Sequence, residues 1–307
     1  MRAMNKIVIV TRKTALQELK RKYNTIEQAK FYIEHIGADF SDYLTEDKNY
    51  EQALEAVKKA AEKNGRVQVV DRGFVPNMIF GKDDIVIAVG QDGLVANVMK
   101  YLDTQPLIGV NPDPHRFDGV LLPFAPKDMS KLLPDVIRGA RKCREITMAL
   151  AETRDGQRLY GVNDIFVGQK THISARYELN FNGHRENQSS SGIIFSTGLG
   201  STGWYKSIIA EAERIAALYG KTEIKYKPID WAADMLMYTV REPYPSRFTS
   251  AQTVHGILRA GDEFKITSRM PENGVVFSDG VEEDNIAFNA GTELTVSVAD
   301  KKGRLVI

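Results

Sequence analysis

The first half of the chain alternates between short apolar runs and amphipathic stretches. Residues 7–10 are continuously apolar and bounded by polar residues, the pattern of a short buried strand. Thr14-x-x-Gln17 and Thr25-x-x-Gln28 each read as a capping box that opens a helix. The second helix carries Ala29, Tyr32, Ile33 and Ile36 and stops at Gly37. Another helix runs through Ala53, Leu54, Val57, Ala60 and Ala61 to a stop at Asn64-Gly65. Strands are predicted over 67–70, 85–89 and 107–110. The middle one contains no polar residue, as expected of a strand covered on both faces. It runs into Gly90-Gln91-Asp92-Gly93 and a helix with Val95, Val98, Met99 and Leu102 on one face. A helical stretch over 132–144 closes this part. The alternation predicts a doubly wound, Rossmann-like α/β domain over residues 1–144.

Near Glu145 the period changes from helical to alternating. Strands are predicted over 146–150, 162–167, 177–181, 193–195, 235–240, 254–258, 264–266, 275–277 and 294–298. Asn182-Gly183 after the third of these is a tight hairpin turn. Only residues 205–218 read as helix. A β-rich, sandwich-like domain over 145–290 follows from this pattern, with residues 291–307 as C-terminal strands. No internal repeat interrupts either half.

Composition narrows the function classes. Lys and Arg number 41 against 40 Asp and Glu, so the chain lacks the basic excess of a nucleic-acid binder. Cys143 is the single cysteine, which excludes an internal disulfide; Lys142 and Arg144 flank it and could lower its pKa, but the reading favoured is a lone, partly buried thiol. The five His are scattered and suggest no zinc site. No apolar run approaches the roughly 20 residues of a membrane span, and the sequence enters its first strand without an apolar leader. A cytoplasmic protein that binds neither membrane nor nucleic acid is expected.

Three segments carry candidate chemistry. In residues 85–93 a strand ends, the chain turns on glycines and a helix begins, which exposes backbone N–H groups to an anion. Gly90 and Gly93 permit close approach of a phosphate. Asp92 would repel phosphate directly, so it reads as a Mg²⁺ ligand, as a base for a hydroxyl proton, or simply as the helix N-cap. In Val162-Asn163-Asp164-Ile165 two polar side chains interrupt an apolar run. They suit a ribose diol, or they mark a turn or bulge. The third segment, 189–204, passes from an apolar strand into a loop of Gly, Ser and Thr and then a helix, and reads as a binding loop.

These segments resemble, in order and spacing, the motifs of the NAD kinases. The matching residues are Gly90 to Leu94, Gly109-Val110-Asn111, Asn163-Asp164, Ser196 to Trp204 and Asp279-Gly280. Asn111-Pro-Asp-Pro114, Ser190-Ser-Gly192 and Arg241-Glu-Pro243 resemble the mitochondrial-type branch. The resemblance covers roughly residues 6 to 307. It implies an NAD-kinase/diacylglycerol-kinase-like architecture and a kinase that transfers the γ-phosphate of ATP, with Mg²⁺, to the 2′-hydroxyl of the adenosine ribose of NAD. It implies Asp92 as the catalytic residue. The implied ligand-binding residues are Gly90, Gly93, Asn111, Asn163, Asp164, Ser191, Thr197, Thr202, Gly203 and Trp204. It further implies a homodimer or homotetramer, with a last strand that returns to the first domain. Two residues depart from the family pattern: Gln91 stands for a glycine and Leu94 for a threonine. A left-handed backbone would strain Gln91, and Leu94 lacks a hydroxyl donor. The alternatives are a nucleotide-binding protein of the same fold with weakened catalysis, or a kinase of a lipid or other hydroxyl substrate.

Overall fold

The computed structural model describes residues 5–220 and 225–307. It divides into two compact units, one running through Arg144 and completed by Arg304–Ile307, the other Glu145–Gly303.

The first unit contains, in order, β1 (Lys6–Thr11), α1 (Ala15–Tyr23), α2 (Ile26–His35), α3 (Phe40–Glu62), β2 (Arg66–Asp71), β3 (Ile85–Val89), α4 (Asp92–Met99), β4 (Leu107–Val110) and α5 (Met129–Ile137). The strands lie in the order β2-β1-β3-β4 and pair in parallel. The C-terminal residues add one more position, Leu305 pairing in parallel with Leu107. Ile7, Ile9, Ile85, Ile87 and Val89 face a core filled by Val57 and Ala61 of α3 and Leu132 and Leu133 of α5. Successive strand residues face opposite sides. Val8, Val10, Val86 and Ala88 are therefore turned the other way, and they are equally buried. Full burial on both faces explains why these strands are continuously apolar.

Local signals set several boundaries. Thr14 and Gln17 complete the capping box expected for α1, and Thr25 caps α2 through the Gln28 N–H. Asp39 caps α3, which starts well before the apolar positions that announced it. The helix expected over 132–144 is instead α5, ending at Ile137. Gly139 follows in the left-handed region at φ 68° and turns the chain out of the helix. Cys143 then opens a strand. Burial pushes its thiol pKa up, with Arg304 opposing, so the basic neighbours do not make it a reactive thiolate.

The second unit contains β5 (Cys143–Thr153), which enters from the first, then β6 (Arg158–Gly161), β7 (Asp164–Gln169), β8 (Ala175–Phe181), β9 (His184–Ser190) and β10 (Ile193–Ser196). After α6 (Trp204–Leu218) come β11 (Met235–Val240), β12 (His255–Arg259), β13 (Phe264–Ser268), β14 (Gly274–Ser278), β15 (Val281–Ala287) and β16 (Glu293–Val306). One layer runs β9-β8-β13-β16, with β5 beside β16 and β6 beside β5; the other is β12-β11-β10-β7-β14-β15. The core of the sandwich includes Tyr177, Phe195, Tyr238 and Phe264. Phe264 meets Phe195 edge to face with ring centres 5.1 Å apart, a favoured aromatic geometry. Asn182 and Gly183 both take positive φ, at 50° and 78°, as the predicted hairpin turn requires. Among the described residues no helix is long and apolar enough to cross a membrane.

Candidate functional site

In the α/β unit the chain order reverses at β1: the connection from β1 leads to β2 on one side, while β3 and then β4 lie on the other. Open α/β sheets bind ligands at the carboxyl ends of the strands flanking such a switch point. There the segment after β1 and the turn after β3 line a crevice of about 400 Å³. Its walls include Arg12, Lys13, Arg72, Gln91, Arg116 and Phe117. Arg12 pairs with Glu46 at 2.7 Å, and its guanidinium lies over the rings of Tyr50 and Phe117. Its Nε is buried with no hydrogen-bond partner among the described residues. That fixed donor beside the crevice suits an anionic oxygen.

The glycine turn differs from expectation at Gln91 and Asp92. Gln91 is the N-cap of α4 at φ −122° and ψ 164°, ordinary extended backbone, so no left-handed strain arises. Gln91 makes no side-chain cap bond, and Asp92 is the first helical residue rather than the cap. Leu94 is 5% exposed and packs against Gly90, where an added Cβ would lie 3.0 Å from its Cδ2. It fills the space with hydrocarbon and presents nothing to a ligand. Nothing lies within 4 Å of a Cβ built on Gly93.

Asp92 reaches the loop after β4. Its Oδ1 accepts from the Leu121 N–H at 2.7 Å and its Oδ2 from the Val120 N–H at 3.2 Å. Asn111 shapes the same loop, donating to the Phe117 carbonyl at 2.9 Å and accepting from the Asp113 N–H at 3.0 Å. The Asn111 side chain therefore organises the loop that orients Asp92.

In the β-rich unit, Asn163 and Asp164 sit where β6 turns into β7. The Asp279 carboxylate accepts the N–H groups of Val162 at 3.0 Å, Asn163 at 2.6 Å and Asp164 at 3.4 Å. Thr197 takes the carbonyl side: its hydroxyl donates to the Val162 oxygen at 2.6 Å and its N–H to the Asn163 oxygen at 2.9 Å. A Cβ on Gly200 would overlap the Asn163 carbonyl, so glycine is required for the loop to close over it. Asp164 is 7% exposed. Burial, and then the charge of Asp279, pushes its pKa up to about 7.

The remaining expected residues lie elsewhere in that unit. Trp204 stacks on Phe166 with centres 5.8 Å apart, and the Arg241 guanidinium lies 5.4 Å from the Trp204 ring centre. Ser191 is beyond the opposite end of β10 from Thr197, its N–H donating to the Arg241 carbonyl at 2.9 Å. Thr202 and Gly203 are exposed at the start of α6.

No family model matches the chain. A probable NADH kinase of Oryza sativa subsp. japonica is 26% identical over 222 residues, which span 64% of this chain and 63% of that protein, under two thirds of its length. The crystal structure of yeast NADH kinase complexed with NADH matches 99% of this chain and 84% of its own, with a TM-score of 0.60 and 15% identity. An NAD kinase from Archaeoglobus fulgidus, in complex with ATP, matches 98% and 93% of the two chains, with a TM-score of 0.56 and 15% identity.

The chain has the fold of the NAD and NADH kinases.

Of the residues singled out in the sequence, Asp92, Asn163 and Asp164 keep side chains that a ligand could meet, whereas others are engaged differently from expectation. Thr197 is fully buried and bonded to backbone, so it supports the site from behind and offers no hydroxyl to a ligand. Asn111 is likewise engaged within its loop. Arg12 and Arg241 were not singled out in the sequence, yet they lie beside the crevice and over Trp204 respectively. Arg12 announces itself in sequence only as a cation directly after the first strand. Among the described residues no group of three or more His, Cys, Asp or Glu could hold a metal ion. A single oriented carboxylate such as Asp92 nevertheless fits Mg²⁺, which commonly binds through one or two carboxylates and substrate phosphates.

Proposed function

We propose that the chain transfers the γ-phosphoryl group of ATP to the 2′-hydroxyl of the adenosine ribose of NAD or NADH. The observation that carries this reading is the placement of Asp92, half-buried and fixed by two backbone amides, beside a glycine turn at the switch point of the sheet. The donor phosphates bind at the turn and the adjoining crevice, where Arg12, Lys13 and Arg72 supply positive charge. Asp92 is the general base: it takes the hydroxyl proton as that oxygen attacks the γ-phosphorus and ADP leaves with the bridging electron pair. Mg²⁺, held by Asp92 and the nucleotide, would neutralise charge on the transferring group. Asn163 and Asp164 bind the dinucleotide through ribose hydroxyls, and the Gly-Ser-Thr loop ending at Trp204 contacts its adenosine.

The name and bound NADH of the yeast relative, and the ATP of the archaeal one, support these ligand classes. The test is NADP or NADPH formation from NAD or NADH with ATP and Mg²⁺, measured beside dinucleotide binding. Phosphorylated product dependent on ATP is expected; tight binding of both ligands with no product would overturn the transfer step.

A second reading, a binding protein without transfer, is favoured by Gln91, whose side chain lines the donor crevice where the family has glycine. Under it the same assay gives binding alone, and Gln91→Gly restores turnover.

A further inference from the structure

The turn between β6 and β7 presents three successive backbone N–H groups, at 162, 163 and 164, to one side chain of a distant turn. Asp279 meets all three through its carboxylate, and its own N–H donates to the Asp164 carbonyl at 3.1 Å. Asp279 sits at φ 55° ahead of Gly280 at φ 69°, in a tight turn between β14 and β15 that aims its side chain back at β7. With Thr197 on the carbonyl side, the backbone of the Asn163-Asp164 pair is held from both directions. The Asn163 carboxamide and the Asp164 carboxyl make no hydrogen bond to any described residue, so a rigidly held pair keeps its side-chain bonding capacity for a ligand.

We propose that Asp279 is a positioning residue of the dinucleotide site, fixing Asn163 and Asp164 to receive a ribose diol and setting the protonation state in which Asp164 does so. The inference rests on the dinucleotide reading above. A carboxylate that accepts three N–H groups keeps its negative charge readily. Burial first, and then the charge of Asp279, keeps Asp164 protonated up to about pH 7. The three amides favour the charged form of Asp279, and that charge disfavours ionisation of Asp164. An ionised Asp164 accepts a ribose hydroxyl more strongly than a neutral one, so dinucleotide affinity rises with pH through neutrality.

The test uses the full chain and NADH, with binding followed by NADH fluorescence between pH 5.5 and 8.5. The Asp164 carboxyl is titrated in parallel by carbon NMR, assigned with Asp164→Asn. Asp279→Asn tolerates a positive φ and removes the charge. Wild-type affinity is expected to rise about tenfold across the range, as a charge-assisted hydrogen bond replaces a neutral one. In Asp279→Asn the affinity at pH 8 falls about tenfold and the Asp164 midpoint moves to lower pH. In Asp164→Asn the pH dependence disappears. Wild-type affinity and an unmoved midpoint in a folded Asp279→Asn overturn the proposal. So does weakened affinity with an unmoved midpoint, which would mark a merely structural contact. If Asp279→Asn does not fold, Asp164→Asn decides, and persistent pH dependence in it overturns the proposal. NADH bound by no variant at any pH sinks the dinucleotide reading instead; the Asp164 midpoint then judges Asp279 alone.

Discussion

Asp92 accepts the N–H of Leu121 at 2.7 Å, tying the first residue of α4 to the loop after β4. With Val120 bonded to its other oxygen, the carboxylate cannot swing freely. Asp92→Asn keeps one of these bonds and turns an amide nitrogen toward the other N–H. We expect a loss of about 1–3 kcal/mol in stability from the unsatisfied donor and a rate lower by about two to four orders of magnitude from loss of the base. Initial rates at saturating NADH and ATP, read beside urea unfolding, check both. Undiminished turnover in the folded variant rules Asp92 out as base.

The two departures from the family turn should behave differently. Gln91 is the exposed N-cap of α4 and makes no side-chain cap bond, so Gln91→Gly, at a position glycine suits, should change stability little and clears the crevice for the donor. A lower apparent KM for ATP at unchanged NADH affinity is expected. Leu94 is buried against Gly90, so Leu94→Thr leaves a void and buries a hydroxyl. It should destabilise by about 2–4 kcal/mol and leave donor affinity unimproved. A stable, more active Leu94→Thr would contradict the packing role.

Some of this organisation is legible in the sequence. Strands β3 and β4 are buried on both faces, so nothing polar interrupts them, and the glycine turn follows directly. Strand β9 reads His-Arg-Glu-Asn-Gln-Ser-Ser and carries no apolar residue; backbone pairing with β8 defines it, which leaves no trace in composition. Asn163 and Asp164 stood out as polar residues in an apolar run, but their anchor did not. The Asp279 carboxylate that holds the Asn163 N–H lies 116 positions away. Thr197 and Asn111 were legible as polar residues near motifs, whereas their engagement with backbone depends on loop closure that periodicity does not encode.

Asp164 should leave a signature in stability against pH. Its folded pKa of about 7 stands above the reference 3.8, so between these values the folded state holds a proton that the unfolded state has released. Folding then binds protons, and stability falls as pH rises from about 4 to about 7, levelling above. The slope attributable to this group is about 1.4 kcal/mol per pH unit at most. Asp164→Asn removes it, so the variant should gain most over the wild type at pH 8 and little at pH 4. Urea unfolding at the two pH values measures the difference; equal offsets would show that Asp164 does not carry the proton.

Gly93 and Gly200 separate close approach to a ligand from close approach to the protein. A Cβ at Gly200 overlaps the Asn163 carbonyl, so Gly200→Ala must push the loop off the β6–β7 turn. Loss of NADH binding is expected, with destabilisation of about 1–3 kcal/mol or more from the overpacked backbone. At Gly93 nothing lies within 4 Å and the residue is inside α4. Gly93→Ala should therefore stabilise the chain by about 0.5–1 kcal/mol through helix propensity. If phosphates approach the turn as proposed, the added methyl stands in their way, and the apparent KM for ATP rises while NADH affinity holds. That combination, a more stable protein with a weaker donor interaction, is not expected of a residue that serves only the fold. Gain in stability with unchanged KM for ATP would move the donor phosphates away from Gly93 and leave the crevice lined by Arg12 as the place to look for them.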